Sequence, residues 1–334
     1  NIRGNKKIKT FTVGFDTTTE AKEARDTSDF LGTDHKEIKV SADTYWKTLP
    51  KAVFHFDEPV ADPSAIGIYF LAKAAKEDVK VVLSGEGSDE LFGGYNIYLE
   101  PFARRKIAWI PRAILGKIAT SPGNFRGKAY ALRAIRKLEE WYIGNASIFK
   151  PEEVKQLWKT APGKAHSLHP LYEQVSGLND SAKMQYIDIQ TWLVGDILAK
   201  ADKMTMAHSL ELRVPFLDIK VAGLAATLPD KFKWKNGTTK YLLREAFKKV
   251  IPEKARKRKK LGFPTPIAEW LGKDRKDLYL TILKNPYIVE KMNTAYIEKL
   301  INDHAEKRAD NARKIYLLLM LALWYNIFII KSRD

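Results

Sequence analysis

Six residues, Gly85-Glu86-Gly87-Ser88-Asp89-Glu90, carry three carboxylates and two glycines directly after the apolar run Val79-Lys80-Val81-Val82-Leu83. A buried strand that empties into a glycine-rich acidic turn is where α/β proteins hold nucleotides and metal ions. Gly85 and Gly87 allow close backbone approach to a ligand, and Gly93-Gly94 allow a second tight turn. Carboxylates placed beneath a packed sheet need water, a cation or a basic partner. Glu86, Asp89 and Glu90 are therefore expected to face one, with Glu90 equally suited to capping the helix that follows. Asp57-Glu58-Pro59-Val60-Ala61-Asp62-Pro63-Ser64 is a second acidic loop before a helix, where Asp62 and Ser64 suit helix capping, a role compatible with facing a substrate. Lys200, Asp202 and Lys203 alternate in charge, and Glu211 and Arg213 bracket a turn. These charges either brace a helical layer as ion pairs or surround a substrate. His208 reads as a packed or surface histidine rather than a catalyst.

Composition narrows the classes. The 334 residues suffice for one large domain or two smaller ones, and 45% hydrophobic residues support a sizeable core. With no cysteine, the chain forms no disulfide, no thiolate metal site and no cysteine nucleophile. The formal charge of +17 fits binding of anionic nucleotides or a lysine-rich solvated surface. Only Lys254-Ala255-Arg256-Lys257-Arg258-Lys259-Lys260 is densely basic, and no zinc-finger, RNA-recognition or basic-zipper pattern accompanies it, so no nucleic-acid partner is expected. The apolar run from Ile315 to Ile330 contains Trp324, Tyr325 and Asn326 and falls short of a comfortable membrane span. It reads as a buried C-terminal helix. The opening residues do not read as a signal peptide, and a cytoplasmic protein without membrane attachment is expected.

The elements that must position these groups follow from the pattern. Ile8–Phe15 and Val79–Leu83 read as buried strands, and His35–Val40 as a second strand between them. Thr17–Leu31 (stopped by Gly32), Ala42–Phe56 and Ser64–Glu77 read as helices. This β-α-β-α-α-β order predicts a parallel sheet with covering helices. After Tyr95 strand signals vanish, and helices separated by Pro101, Pro111, Pro122, Pro151, Pro162 and Pro170 dominate. Trp141–Tyr142 and Phe149–Trp158 read as helical hairpins and Ala182–Met206 as a long helical stretch. Residues 1–100 thus form a nucleotide-binding α/β part and residues 101–334 a helical part completing one domain.

Four blocks carry a resemblance to a known family. Ser84-Gly85-Glu86-Gly87-Ser88-Asp89-Glu90-Leu91-Phe92-Gly93-Gly94-Tyr95 resembles the second nucleotide motif of glutamine-hydrolysing asparagine synthetases. The run from Asp196 to Asp218 is similar to that family's Leu-x-Lys-x-Asp-Arg-Met-Ser-Met-Ala block, departing at Lys203 and Leu212. Gly237-x-x-Lys240-x-Leu242-Leu243-Arg244-Glu245-Ala246 and Arg258-x-Lys260-x-Gly262-Phe263 match two further blocks, with Lys259 where proline or glutamine is frequent. The resemblance runs from about Lys7 to Phe328.

The resemblance implies an adenine nucleotide alpha hydrolase-like α/β fold and a two-step ligase reaction using ATP and Mg²⁺. Aspartate is adenylated with release of pyrophosphate, and ammonia from glutamine displaces AMP to give asparagine. It implies that Val13 and Gly14 hold the adenine edge, and that Ser84, Gly85 and Gly87 contact phosphate and sugar. Glu86 would relay a proton during ammonia attack, Asp89 would bind Mg²⁺, and Lys260 would hold the leaving pyrophosphate. Glu90, Asp202, Glu211 and Arg213 would surround the substrate. Relatives of this fold that form other amides, closing β-lactam rings or lasso peptides or amidating sugars, share the chemistry, so the acceptor stays open. So do a non-catalytic remnant and a homodimer. The family's glutaminase half uses an N-terminal cysteine, absent here. Its pyrophosphate loop, Ser-Gly-Gly-x-Asp-Ser, is also absent, and with it a strand that is central in the family's sheet. The expectation is a piece of a longer protein, its core opened where that strand is missing.

Overall fold

The computed structural model describes residues 7–15, 20–123, 127–160, 168–258, 262, 265–272 and 274–330. Strand β1 (Lys9–Phe15) pairs in parallel with β2 (Asp34–Val40), Lys9 opposite Asp34 and Phe15 opposite Val40. Helix α1 (Glu20–Leu31) connects them and stops at Gly32, whose φ of +65° is open to glycine at little cost. Helix α2 (Ala42–Phe56) begins at Ser41, whose hydroxyl accepts from the Thr44 amide at 3.3 Å. It buries Tyr45, Trp46, Leu49, Ala52, Val53 and Phe56, the stripe expected of one helical face. Helix α3 (Ala65–Ala75) packs against β1, and β3 (Val81–Leu83) precedes the short helix α4 (Ser88–Phe92).

The core is built mainly by helices. Tyr45, Leu49, Val53 and Phe56 of α2 meet Ile315, Tyr316, Leu319 and Met320 of the helix Ala312–Tyr325 in one continuous apolar cluster. The Tyr45 hydroxyl lies 3.0 Å from both the Pro63 carbonyl oxygen and the Tyr316 hydroxyl, so the buried polar tips are satisfied. Residues 312–330 are long and apolar enough by composition to cross a membrane. Here the helix is a spine of the core, with Ile315, Tyr316, Leu318, Leu319, Met320 and Ala322 fully buried.

Four expectations need correction. The strands do not end at Tyr95: Glu211–Arg213 forms β4, parallel to β3 with Val81 opposite Glu211 and Leu83 opposite Arg213. The parallel sheet is split, β1 with β2 and β3 with β4, and β1 does not pair with β3 among the described residues. For that reason β3 is not a buried strand. Val81 and Leu83 are 47% and 72% exposed, as an uncovered sheet edge leaves its apolar side chains in water. Of the expected helical hairpins, Pro151–Leu157 is helical, whereas Trp141–Tyr142 only follows a 3₁₀ turn at Leu138–Glu140. The stretch Ala182–Met206 is helical throughout but changes pitch, winding as a π-helix over Ile189–Leu198 between α-helical turns at Asp180–Asp188 and Ala199–Met206.

Candidate active site

The acidic turn is held rigidly by its backbone. The Ser84 amide donates to the Arg213 carbonyl at 2.9 Å, anchoring the turn to β4. Gly87 has φ +81°, and a Cβ there would run into the Leu217 side chain. The Ser88 hydroxyl donates to the Gly85 carbonyl at 2.7 Å. At the far end of α4 the Gly94 amide donates to the Asp89 carbonyl at 2.7 Å, and a Cβ on Gly94 would land on the Asp89 carboxylate and the Lys240 stem. Gly87, Gly93 and Gly94 thus serve close approach of the chain to itself, whereas a Cβ on Gly85 would meet nothing within 4 Å. Lys240 Nζ sits 3.0 Å from Asp89 Oδ1 and donates to Ser88 Oγ at 2.9 Å.

Glu86 and Asp89 line a cavity of about 670 Å³. Its second wall is the Pro59–Ser64 loop, its third the π-helix with Trp192, Gly195 and Asp196 followed by Lys200, and its fourth Arg313 and Leu317 of the C-terminal helix. Asp62 is bifunctional. Its Oδ1 accepts from the Ser64 amide at 2.8 Å, opening α3, while its Oδ2 meets Lys200 Nζ at 2.5 Å. Ser64, also expected as a cap, makes no capping bond. The Lys200 side chain is 6% exposed and that of Asp62 14%. Burial works against both charges, but each partner outweighs it, holding the Asp62 carboxyl below its usual range and the Lys200 ammonium above its own. Asp196 instead faces Asp62 and shares a side-chain hydrogen bond with it. Burial, then the charge of Asp62, pushes its carboxyl up to about 7, with Lys200 and Arg313 pulling the other way. Its Oδ2 is buried and accepts no hydrogen bond from a donor among the described residues.

Neighbouring networks fix the walls. Asp188, fully buried, accepts from Tyr98 at 2.6 Å, Tyr142 at 2.5 Å, the Asn145 amide at 2.9 Å and Asn145 Nδ2 at 2.7 Å. These bonds hold the 144–148 segment whose Ala146 and Ile148 close the cavity. Glu90 is 1% exposed and accepts from the Tyr95 hydroxyl at 2.6 Å, which in turn accepts from Trp192 Nε1 at 3.2 Å. Burial raises the Glu90 carboxyl above its ordinary range.

The structure brings together some of the residues singled out from sequence and separates others. Glu86 and Asp89 share the cavity, with Ser84, Gly85 and Gly87 in the turn that carries them. Glu90 lies beneath the turn, bonded to Tyr95 rather than to the cavity, because it occupies the inward side of α4. Val13, buried at the C-terminal end of β1 beside Gly14, lines a separate cavity of about 520 Å³ together with Glu23, His35 and Arg258. Asp202, Glu211 and Arg213 are exposed and do not line the acidic cavity; Glu211 and Arg213 pair with each other on β4. Lys260 lies outside the described residues, but Gly262 and Thr265 line the cavity. In the basic run Lys254 pairs with Asp26, Arg256 with Glu245, Lys257 with Glu253 and Arg258 with Glu23, so its described cations form a surface ion-pair network. Lys203 reaches Asp57 at 2.7 Å, bracing the same loop that Lys200 holds.

Asp196 and Arg313 escaped the sequence reading as site residues, whereas Lys200 was read there as bracing a helical layer or surrounding a substrate. Nothing local marks the first two, since the π-helical pitch and a helix more than 100 residues downstream bring them to one space. As for a divalent cation, no group of three or more His, Cys, Asp or Glu side chains suited to a metal occurs among the described residues. Asp89 is engaged by Lys240. The described residues alone do not fit Mg²⁺.

Split parallel strands under a helical layer, with an acidic glycine turn opening onto a mixed-charge cavity, define an α/β protein with a candidate ligand site at its strand ends. The asparagine synthase family profile matches residues 2–326. The chain is 45% identical over 97% of its length to asparagine synthetase [glutamine-hydrolyzing] 1 of Bacillus subtilis, covering 53% of that protein. It is 40% identical over 98% of its length to a Mycobacterium tuberculosis protein named for the same synthetase, covering 52% of it. A Penicillium rubens protein named amidase chyE is 27% identical over 79% of the chain and is covered to 44%. The chain belongs to the asparagine synthase family, and it spans about half the length of the curated relatives it matches.

Proposed function

We propose that this chain is the synthetase part of a glutamine-dependent asparagine synthetase, with an adenine nucleotide alpha hydrolase-like fold. In the reaction, an oxygen of the aspartate side-chain carboxylate attacks the α-phosphorus of ATP and pyrophosphate leaves. Ammonia then adds to the acyl carbon of the aspartyl-adenylate, loses a proton, and AMP departs as asparagine forms. Hydroxide-like leaving groups are poor at neutral pH, so the carboxylate must be activated first, and the leaving charge must be met by fixed cations.

The observation that carries this reading is that Glu86 and Asp89 line one cavity with Lys200, Arg313 and Gly262, the last two residues from Lys260. Glu86 is suited to take the proton from the attacking amine. Lys260 is suited to hold pyrophosphate, a flexible ammonium following a migrating polyanion. Val13 and Gly14 offer the adenine an apolar wall and backbone groups.

The test uses the full-length protein. Lys260→Ala is expected to lower pyrophosphate release from ATP and aspartate by about 10²–10³-fold. Glu86→Gln is expected to keep pyrophosphate release while losing asparagine formation. Unchanged release by the Lys260→Ala variant rejects the assignment. A second reading, amidation of another carboxylate, draws on the similarity to the Penicillium rubens protein. AMP formation against a panel of carboxylates decides between them.

A further inference from the structure

A second basic region lies far from the 254–260 run, and its charges are disposed differently. Residues 101–137 hold ten lysines and arginines and no aspartate or glutamate. Two of these cations meet acids from outside the segment, Arg104 near Asp180 at 3.7 Å and Arg133 on Glu100. Arg105, Lys106, Arg112, Lys117, Arg136 and Lys137 are exposed and form no ion pair among the described residues. The described cations of the 254–258 run, by contrast, are all paired. A merely solvated face intersperses both signs, whereas a field of one sign attracts a partner of the other.

The region folds as an appendage. Helices Arg112–Thr120 and Lys128–Ile135 close on each other around Leu115, Ala119 and Ala131, a small cluster separate from the main core. Its inner side is thereby filled, yet apolar groups also stand outside. Trp109, in the turn that leads into the first helix, is 81% exposed, and Ile114 on that helix is 49% exposed. Ile114 and Lys117, three residues apart, share the outward side of the helix. The Trp109 indole nitrogen donates to the Lys106 carbonyl at 3.0 Å, so its polar atom is satisfied while its ring is left in water. The same region encloses a cavity of about 480 Å³ lined by Arg104, Arg105 and Arg112 together with Ile107, Ile110 and Leu115. Arg104 Nη1 is buried and makes no hydrogen bond among the described residues. A phosphate oxygen is the acceptor that suits such a donor.

We propose that this hairpin docks the protein reversibly on an anionic phospholipid surface. Trp109 and Ile114 enter the headgroup layer, while Arg105, Lys106, Arg112 and Lys117 meet lipid phosphates. Unpaired cations beside an exposed indole are the composition of an interfacial anchor. A nucleic acid would also satisfy the cations and stack on Trp109, but it offers the exposed aliphatic chain of Ile114 no apolar layer, and a bilayer does. The attachment is peripheral and uses no membrane-crossing helix. It departs in that one respect from the expectation of a protein without membrane attachment. It stands independently of the amidation reading, since binding is measured without turnover.

The test is co-sedimentation of the full-length protein with phosphatidylcholine vesicles, with and without about 30% phosphatidylglycerol. Wild type is expected to bind the anionic vesicles at least about 10-fold more tightly at low salt. It should lose most of that preference at about 0.5 M NaCl, where exposed charges are screened. Lys106→Gln combined with Lys117→Gln is expected to weaken binding by about 10–30-fold, and Trp109→Ala by about 10-fold. All three side chains are exposed, so the fold should be retained. Lys248→Gln combined with Lys257→Gln removes the same charge from two paired surface cations and is expected to stay within about 2-fold of wild type. Equal losses in the two double variants would assign the binding to overall charge and overturn the proposal. So would equal binding to neutral and anionic vesicles, or no binding to either. Tighter binding to an oligonucleotide than to anionic vesicles, unweakened by Trp109→Ala, would give the face to nucleic acid instead.

Discussion

A single carboxylate, Asp62, opens a helix with one oxygen and neutralises a buried ammonium with the other. Removing one member of such a pair leaves an uncompensated charge in the interior, at a cost of about 3–5 kcal/mol. Asp62→Asn and Lys200→Met are each expected to destabilise the chain by about that amount, and the double variant by clearly less than their sum. Urea unfolding of the four proteins measures the cycle. The pH dependence has a definite sign. Burial opposes the charge of Asp62 but Lys200 depresses its pKa, so the pair's contribution is present above the ordinary carboxylate range and is lost as the pH falls through the lowered value. The cost of Lys200→Met should shrink in acid accordingly. Asp62 was readable from sequence as a cap, by its position just before an apolar helix. Its second role was not, because Lys200 lies 138 residues away.

Elements differ in how plainly the sequence announces them. β1, β2 and α2 were legible to within a residue or two, since β-branched runs and a six-residue apolar stripe leave little choice. β4 was not. Of Glu211-Leu212-Arg213 only Leu212 is apolar, and the segment becomes a strand by pairing with β3. The π-helix at Ile189–Leu198 likewise carries no pattern distinct from an α-helix, yet it delivers Trp192 and Asp196 to the cavity. The Gly93-Gly94 turn was read as a tight turn, which it is, but its tightness serves the contact of Gly94 with Asp89 and Lys240. Gly94→Ala should force that ion pair apart, destabilising the chain by about 1–3 kcal/mol. Thermal unfolding checks the loss. Gly85→Ala, where a Cβ meets nothing within 4 Å, is the matched control.

At the scale of the whole molecule, the helical core and the strands are unevenly joined. α2 and the C-terminal helix share a continuous apolar cluster, while β1–β2 and β3–β4 form separate ladders. Exposed ion pairs, Lys9–Asp78 at 2.7 Å and Lys36–Glu77 at 2.8 Å, tie β1 and β2 to the turn before β3 and contribute little to stability, while Phe11 of β1 and Val82 of β3 pack on one small apolar cluster with Ala72, Ala75 and Leu210. The α/β order was legible from sequence, and the resemblance to the synthetases even anticipated an opened sheet. The exposure of Leu83 follows from that opening. The seam has a mechanical consequence. The hollow beside Val13 belongs to one ladder and the hollow beside Glu86 to the other. A nucleotide long enough to touch both would act as a brace, tying the two ladders together. Scanning calorimetry should then record one sharper melting peak with ATP where the free chain melts broadly, and an unaltered peak width would mean that the ladders are already locked.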